Sequence, residues 1–282
     1  MCRSLLQTGL KPLKENSMSN QEFATDPAEA KDRNFVTALA RGLDVLRAFR
    51  DNESALTNTD FAERTGLPKA TVSRLTHTLC ELDYLVADPR TGTYRLGAGV
   101  LQLGFGVLTS MEIGDRAAAE MKALRDGPNS YITVAIGEQH RLDVVYICTK
   151  RSREDVALQI RVGSRLPLFD SAMGRAILVG MEDDSRKRAF DLVAQIDPQT
   201  EARARASYAA AVEEFAAKGF CSSYGDWRAD VNGIAVPVFS PNGSIVYGLN
   251  IGGPSFHVKK KQLETVYAKR LIKAAEAISI RF

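Results

Sequence analysis

Apolar residues recur at three- and four-residue steps through NFVTALARGLDVLRAFR, where Phe35, Leu39, Leu43, Leu46 and Phe49 mark one face of an amphipathic helix. After the polar break DNESAL, Thr57 or Asn58 can cap a second helix, which Gly66 ends. Pro68 suits the first turn of a third helix, because its missing amide proton would lack a partner there in any case. Leu67, Val72, Leu75, Leu79, Leu82 and Leu85 form the apolar stripe of that segment, while Lys69, Thr71, Ser73 and Arg74 crowd the other face with no acid before Glu81. DPRTG then separates two short extended runs, Tyr84 to Ala87 and Thr93 to Leu96. Three helices with a tight turn before the third, followed by a two-stranded hairpin, have the order of a winged helix-turn-helix.

In GAGVLQLGFGVLTSM, Val100, Leu103, Val107 and Met111 fall on a heptad-like seam that Leu101, Phe105 and Leu108 widen. A helix apolar over so much of its circumference must bury itself, either on its own domain or on its copy in a second subunit. Glycines 97, 99, 104 and 106 weigh against a helix here, since each costs about 1 kcal/mol relative to alanine.

The texture changes from Asp115. A helix DRAAAEMKALRD leads through GPNS into β-rich runs YITVAIG, RLDVVYICT and DVALQIRV. Helices follow at SAMGRAILVGM, DSRKRAFDLVAQI and TEARARASYAAAVEEFAAKG. The runs GFCSSYG, GIAVPVF and SIVYGLNIG come next, the last two joined by the turn SPNGS, and a final helix spans Lys259 to Ile280. Strands grouped apart from blocks of helices predict an antiparallel sheet of α+β type rather than repeated β-α-β units.

A chain of 282 residues has room for two cores. Its net charge of +3 is too small to identify a polyanion partner, and residues 34 to 95 carry eight Lys or Arg against eight Asp or Glu. Any attraction to DNA must then come from local asymmetry. On the third helix Lys69, Thr71, Ser73 and Arg74 suit phosphate or base contact, Arg74 being able to read guanine bidentately. Arg90 at the hairpin tip would reach the backbone or minor groove as a wing. The bland reading of that helix face is ordinary solvation, and His77 fits either side. Arg41 and Arg47 read as solvated or paired with Asp44.

Cys2, Cys80, Cys148 and Cys221 are scattered without CxxC or Cys/His ligand spacing, which suggests neither a metal site nor a disulfide framework but reduced, cytoplasmic thiols. No apolar run approaches the roughly 20 residues of a membrane span. The first 33 residues read as a mostly disordered leader. The competing reading is an enzyme or a catalytically active sensor acting on a small carboxylate. Only His77, His140 and His257 could serve as imidazole bases, none with triad-like support, and GxSxG, P-loop and HExxH motifs are absent. No cofactor is implied.

RGLDVLRAF, TGLPKATVSRLTHTL, YRLG, VGSRLPLFDSAMGRAIL and GFCSSYGDWRADVNGIAVPVF, in that order, resemble landmarks of the IclR (isocitrate lyase regulator) family of bacterial transcription factors. The likeness runs from about Phe35 to the C-terminus. It implies a winged DNA-binding domain over 34–96, a linker helix used in dimerisation over 97–114, and a GAF/PAS-like effector domain over 115–282. It also implies repressor or activator activity, operator DNA and a small-molecule effector as partners, and dimers, with tetramers common in the family.

By motif position, Ala172 and Met173 sit where the family's loop amides meet a ligand carboxylate, and Ser223 and Gly233 at two further contacts. Ser223 stands where small-oxoacid binders have Asp, Gly233 where they have Cys, and Met173 is larger than the usual residue. Asp226 falls where Glu is common, Asp230 replaces a common Gly, and Trp227 is aromatic. The residues themselves agree: DSAMG exposes backbone amides at a helix start, suited to an anion. Gly233 opens space in a strand, and Trp227, Tyr224 and Phe220 offer walls. The expected effector is an aromatic or otherwise bulky carboxylate.

Overall fold

The computed structural model describes residues 34–50, 53–110, 112–154 and 160–279, without the side chains of 108–110. The expected leader, and the seam positions Leu108 and Met111, lie outside that description.

The N-terminal unit comprises α1 (Thr37–Arg47), β1 (Leu56–Thr57), α2 (Asn58–Thr65), α3 (Lys69–Glu81), β2 (Leu85–Asp88) and β3 (Thr93–Leu96). The strands form an antiparallel sheet of order β1-β3-β2, completing the winged helix-turn-helix. Thr57, rather than Asn58, caps α2. Its hydroxyl accepts from the Asp60 amide at 3.2 Å while its own amide donates to the Asp60 carboxylate at 2.7 Å. Gly66 closes α2 at φ 68°, a left-handed conformation that glycine adopts without steric cost.

Val45, Phe49, Leu56, Phe61, Val72, Leu79 and Leu85 build the core of this unit, with Phe49 edge-on to Phe61 at 5.5 Å. Two sequence expectations need correction. Phe35, Leu39 and Leu43, expected on the buried face of α1, are 63, 63 and 42% exposed, and Leu82 is 58% exposed. Only the last part of α1 lies on α2 and α3, so among the described residues the apolar stripe continues past the core. It borders a groove with Leu46, Leu75 and Leu103.

Helix α4 (Ala98–Ser110) forms in spite of its glycines, and Leu101, Leu103, Phe105 and Val107 are all exposed on it. Gly97 has a packing reason of its own, because a Cβ there would lie 2.1 Å from the Asp83 carbonyl.

The C-terminal unit begins at α5 (Ile113–Arg125). Its strands are β4 (Thr133–His140), β5 (Asp143–Lys150), β6 (Arg165–Pro167), β7 (Cys221–Tyr224), β8 (Val231–Phe239) and β9 (Val246–Pro254). They form one antiparallel sheet of order β6-β5-β4-β9-β8-β7. Between β6 and β7 lie α6 (Ala172–Gly180), α7 (Asp183–Ala194) and α8 (Pro198–Lys218). The chain ends with α9 (Lys260–Gln262), a π-helical turn (Leu263–Tyr267) and α10 (Ala268–Ile278). The expected helix from Lys259 is thus present but under-wound near its start.

Strand alternation sends one set of side chains, including Ile132, Val134, Ile136, Leu249 and Ile251, toward α5 and α10. The other set packs on α6, α7 and α8. Of the strand expected over 155–162, 155–159 lies outside the described residues and 160–162 is irregular; the edge strand is Arg165–Pro167. The run VGSRLP lacks both alternation and β-branched residues after Val162, so no periodicity marks it.

Candidate DNA interface and ligand cleft

Helix α3 is fixed by its buried side: Val72 and Thr76 are fully buried and Leu79 nearly so. The Thr76 hydroxyl donates to Oδ1 of the Asn58 side chain at 3.1 Å, and Nδ2 of Asn58 donates to the Tyr94 hydroxyl at 3.3 Å. One chain of polar contacts thereby joins α3, α2 and β3.

The opposite face carries Lys69, Ser73, Arg74 and His77, all exposed, with Thr71 half-buried at its margin. His77, which the sequence assigned to neither side, stands one turn beyond Arg74 on the outer face. Arg90 is exposed in the hairpin turn, its amide donating to the Asp88 carboxylate at 2.9 Å. Among the described residues Lys69, Arg74 and Arg90 have no carboxylate partner, in contrast to Arg47, which pairs with Asp44 at 3.3 Å. Unpaired cations around a helix that protrudes beside a wing are what phosphate contact requires.

The second site lies between the sheet and the start of α6. Ser171 caps the helix, accepting from the Gly174 amide at 3.0 Å, and its hydroxyl donates to the Pro167 carbonyl at 2.7 Å. Gly174 is required there, because a Cβ would sit 2.0 Å from the Leu168 carbonyl. The amides of Ala172 and Met173, in the first turn, have no intrahelical acceptor and carry the positive end of the helix dipole.

Beneath this helix the sheet is paved with small residues. Thr133, Gly252, Gly233 and Ser223 form one row across β4, β9, β8 and β7, and Ala135, Asn250, Ala235 and Cys221 form the next. A third row brings Gly137 and Gly248 together, and the buried Met173 side chain lies over both. Among the described residues no side chain of this kind lies over the first row, whose four residues are buried; a narrow cleft with room for about 30 Å³ lies above it.

Ala172, Met173, Ser223, Trp227 and Gly233 all line this cleft, so the structure brings together these five residues selected from the sequence. Met173 contributes main chain, since its side chain is spent on the two glycines. Asp226 does not line the cleft. It is drawn outward to Arg175 at 2.6 Å. Phe220 and Tyr224 are corrected as well: strand alternation turns both to the opposite side of the sheet, where the Tyr224 hydroxyl meets Glu264 at 3.2 Å.

Sequence reasoning missed Tyr146 and Asn250. They pair by their side chains in the same cleft, the Tyr146 phenol being buried and held well above its ordinary pKa by desolvation. Strand parity, once the register was known, would have placed Asn250 on the cleft side. Among the described residues no Lys, Arg, Asp or Glu lines the space, so an anion entering it meets neutral dipoles and helix amides.

The thiol and the imidazoles weighed above for catalysis lie outside the cleft lining. Cys221 is fully buried, and its thiol is pushed up to about 12 by burial. His257 stacks on Tyr131 at 3.8 Å, and His140 stands at the exposed end of β4.

Two family models match the chain: IclR helix-turn-helix domain over residues 38–89, and Bacterial transcriptional regulator IclR C-terminal over residues 105–280. The Pca regulon regulatory protein of Pseudomonas putida is 30% identical over 264 residues, covering 90% of this chain and 85% of the relative. The HTH-type transcriptional regulator TsaQ1/TsaQ2 of Comamonas testosteroni is 35% identical over 242 residues, covering 84% and 85%. Among solved structures, an IclR family transcriptional regulator from Brucella abortus is 39% identical with a TM-score of 0.80, covering 90% of this chain and 95% of that one.

Proposed function

The chain belongs to the IclR family of bacterial transcriptional regulators, and from that premise we propose that it controls transcription in response to a flat aromatic, or similarly bulky, carboxylate. The DNA-binding helix-turn-helix and the C-terminal effector domain are properties of the family. The effector class, the domain limits 34–96, 97–114 and 115–282, the dimer and the site residues are our assignments.

One observation carries the effector class. The Gly252 and Gly233 pair leaves bare backbone as the cleft floor, facing uncapped amides of α6 and flanked by Trp227. A planar ring fits on bare strand backbone, and the helix start accommodates its carboxylate. Lys69, Thr71, Ser73, Arg74 and, on the wing, Arg90 are assigned to operator contact. Ala172, Met173, Ser223, Trp227 and Gly233 are assigned to the effector, with Asp226 acting only through Arg175.

The apolar groove between α1 and α3, bordered by Leu103 of α4, supports pairing of two copies over α1 and α4, which would carry two winged units to two half-sites. Buried Cys221 and the dispersed histidines favour binding over catalysis, and no helix among the described residues is long and apolar enough to cross a membrane. A cytoplasmic regulator fits these features.

The test is a melting-temperature screen with benzoate, 4-hydroxybenzoate, benzamide, glyoxylate and pyruvate. At a hundredfold excess over its dissociation constant a ligand stabilises the native state by about 2.7 kcal/mol. Stabilisation by the aromatic acids but not by benzamide or the oxoacids is expected. Stabilisation by glyoxylate or benzamide alone would sink the assignment.

A further inference from the structure

The two units of the chain meet at the C-terminal end of α1. The last carbonyls of a helix lack intrahelical donors and seek partners outside it. One arginine takes the C-cap carbonyl of α1, and a second takes the carbonyl of the next residue, just past the helix. Arg64 of α2 donates to the Ala48 carbonyl at 2.8 Å from within the winged unit, whereas Arg165 reaches from β6 of the effector unit to the Phe49 carbonyl at 3.3 Å. Phe49 is itself anchored in the winged core against Phe61.

Arg165 has a particular place in its own unit. It pairs with Val145, and its neighbour Leu166, buried against the sheet, lines the ligand cleft. Pro167, the next residue, receives the Ser171 hydroxyl, and Ser171 caps the helix whose first amides face the same cleft. A stretch of about seven residues therefore contains both the interdomain contact and one wall of the cleft. Side chains of both units also converge on His140: burial lowers its pKa, with Arg47 of α1, Arg141 and Arg165 adding to the effect and Asp143 opposing it.

We infer that Arg165 is a positioning residue: its hydrogen bond to the Phe49 carbonyl fixes the winged unit against the cleft-wall strand β6, and so sets the orientation in which the recognition helix meets DNA. The inference rests on the reading of α3 as the DNA-contacting helix and on two units acting together. Arg165 is exposed on its own unit, so replacing it removes the tether without opening a core. A winged unit freed in this way must be ordered again on each binding event, which weakens sequence-specific, two-point attachment more than one-point electrostatic attachment.

The experiment uses full-length protein and a duplex isolated from random sequence by selection against the wild type, with an unrelated duplex of equal length as reference. Binding is followed by fluorescence anisotropy at one salt concentration. R165A is expected to weaken binding to the selected duplex by about threefold or more through loss of effective concentration. Binding to the unrelated duplex and the melting temperature should be unchanged. R165K, which keeps a donor, should fall between R165A and wild type. Wild-type affinity of R165A for the selected duplex overturns the inference. So does an equal loss on both duplexes, which would make Arg165 a simple phosphate contact. Should R165A fail to fold, R165Q decides by the same criteria. If no duplex can be selected with wild-type protein, the DNA-contact assignment fails first, and the inference falls with it.

Discussion

Arg175 reaches from the first turn of α6 to the carboxylate of Asp226, 2.6 Å away, and so ties the helix bordering the cleft to the loop that carries Trp227. The same guanidinium donates to the Phe169 carbonyl at 3.2 Å, the Ser207 hydroxyl at 3.1 Å and the Ser222 carbonyl at 2.7 Å. Arg175→Ala should therefore cost about 3 kcal/mol, because it removes four hydrogen bonds at once, three of them part-buried. Asp226→Asn should cost less than about 1 kcal/mol, since that carboxylate side chain is 47% exposed. Urea unfolding of both variants checks the contrast, and comparable losses would mean that the ion pair, not the carbonyl contacts, holds the loop.

Glycines of the cleft divide into those that cannot change and one that can. Gly174→Ala drives a Cβ toward the Leu168 carbonyl and should lose about 3 kcal/mol or fail to fold. A Cβ on Gly233 would come no closer than 3.4 Å to any atom, the nearest being the Ile251 carbonyl, an ordinary contact. Gly233→Ala should keep its melting temperature while weakening benzoate about tenfold, or 1.4 kcal/mol. Calorimetric titration gives the second number.

Arg74→Ala should lower affinity for a selected operator by about 1–3 kcal/mol and relax its sequence preference, with melting and ligand binding intact. Lys69→Ala should weaken all duplexes alike and flatten the dependence on salt. Gel-shift titrations at several salt concentrations separate the two behaviours; a uniform loss for Arg74→Ala would reassign it to phosphate.

Leu43 and Leu101, 42 and 74% exposed, border the apolar surface of α1 and α4. Leu43→Glu combined with Leu101→Glu should leave each chain folded, as neither side chain fills a core, yet shift sedimentation from dimer to monomer. An unchanged sedimentation coefficient would place the subunit contact elsewhere.

Acid should weaken the fold through its helix caps. The Asp60 carboxyl is held below its ordinary value by the Thr57 amide and hydroxyl, and Asp197 similarly by Thr200. A carboxyl whose pKa is lower folded than unfolded contributes stability that is complete above the unfolded pKa of about 3.9 and disappears as pH falls through the folded value. Melting temperature should accordingly drop below about pH 4. Asp60→Asn and Asp197→Asn should each flatten that drop while lowering the plateau at neutral pH.

Much of this architecture was legible in the sequence because it rests on local rules. Gly66 and Pro68 bracket a turn whatever surrounds them, and the segment from Lys69 to Glu81 announces which side is dry. The wing hairpin and five members of the cleft could be read in the same way, the latter by their place in motifs. What could not be read depends on contacts distant in sequence. Phe35, Leu39 and Leu43 have the period of a buried face, but periodicity does not say whether the cover belongs to the same chain. Phe220 and Tyr224 lie beside Ser223 in sequence yet across the sheet from it, since a shift of one residue along a strand changes sides. Asp226 was claimed by Arg175, fifty-one residues away, and Asn250 enters the cleft only through the pairing of β9 with β4 and β8.

The first row of the sheet under α6 has a consequence for how such a regulator can diverge. Gly252 is locked, because a Cβ there would lie 2.7 Å from the Asn232 carbonyl. Gly233 opposite it has neither that obstruction nor a left-handed backbone, so a small side chain can enter without remaking the strand. A gene copy could then acquire appetite for a different metabolite through one codon, while promoter recognition, encoded at the other end of the molecule, is inherited untouched.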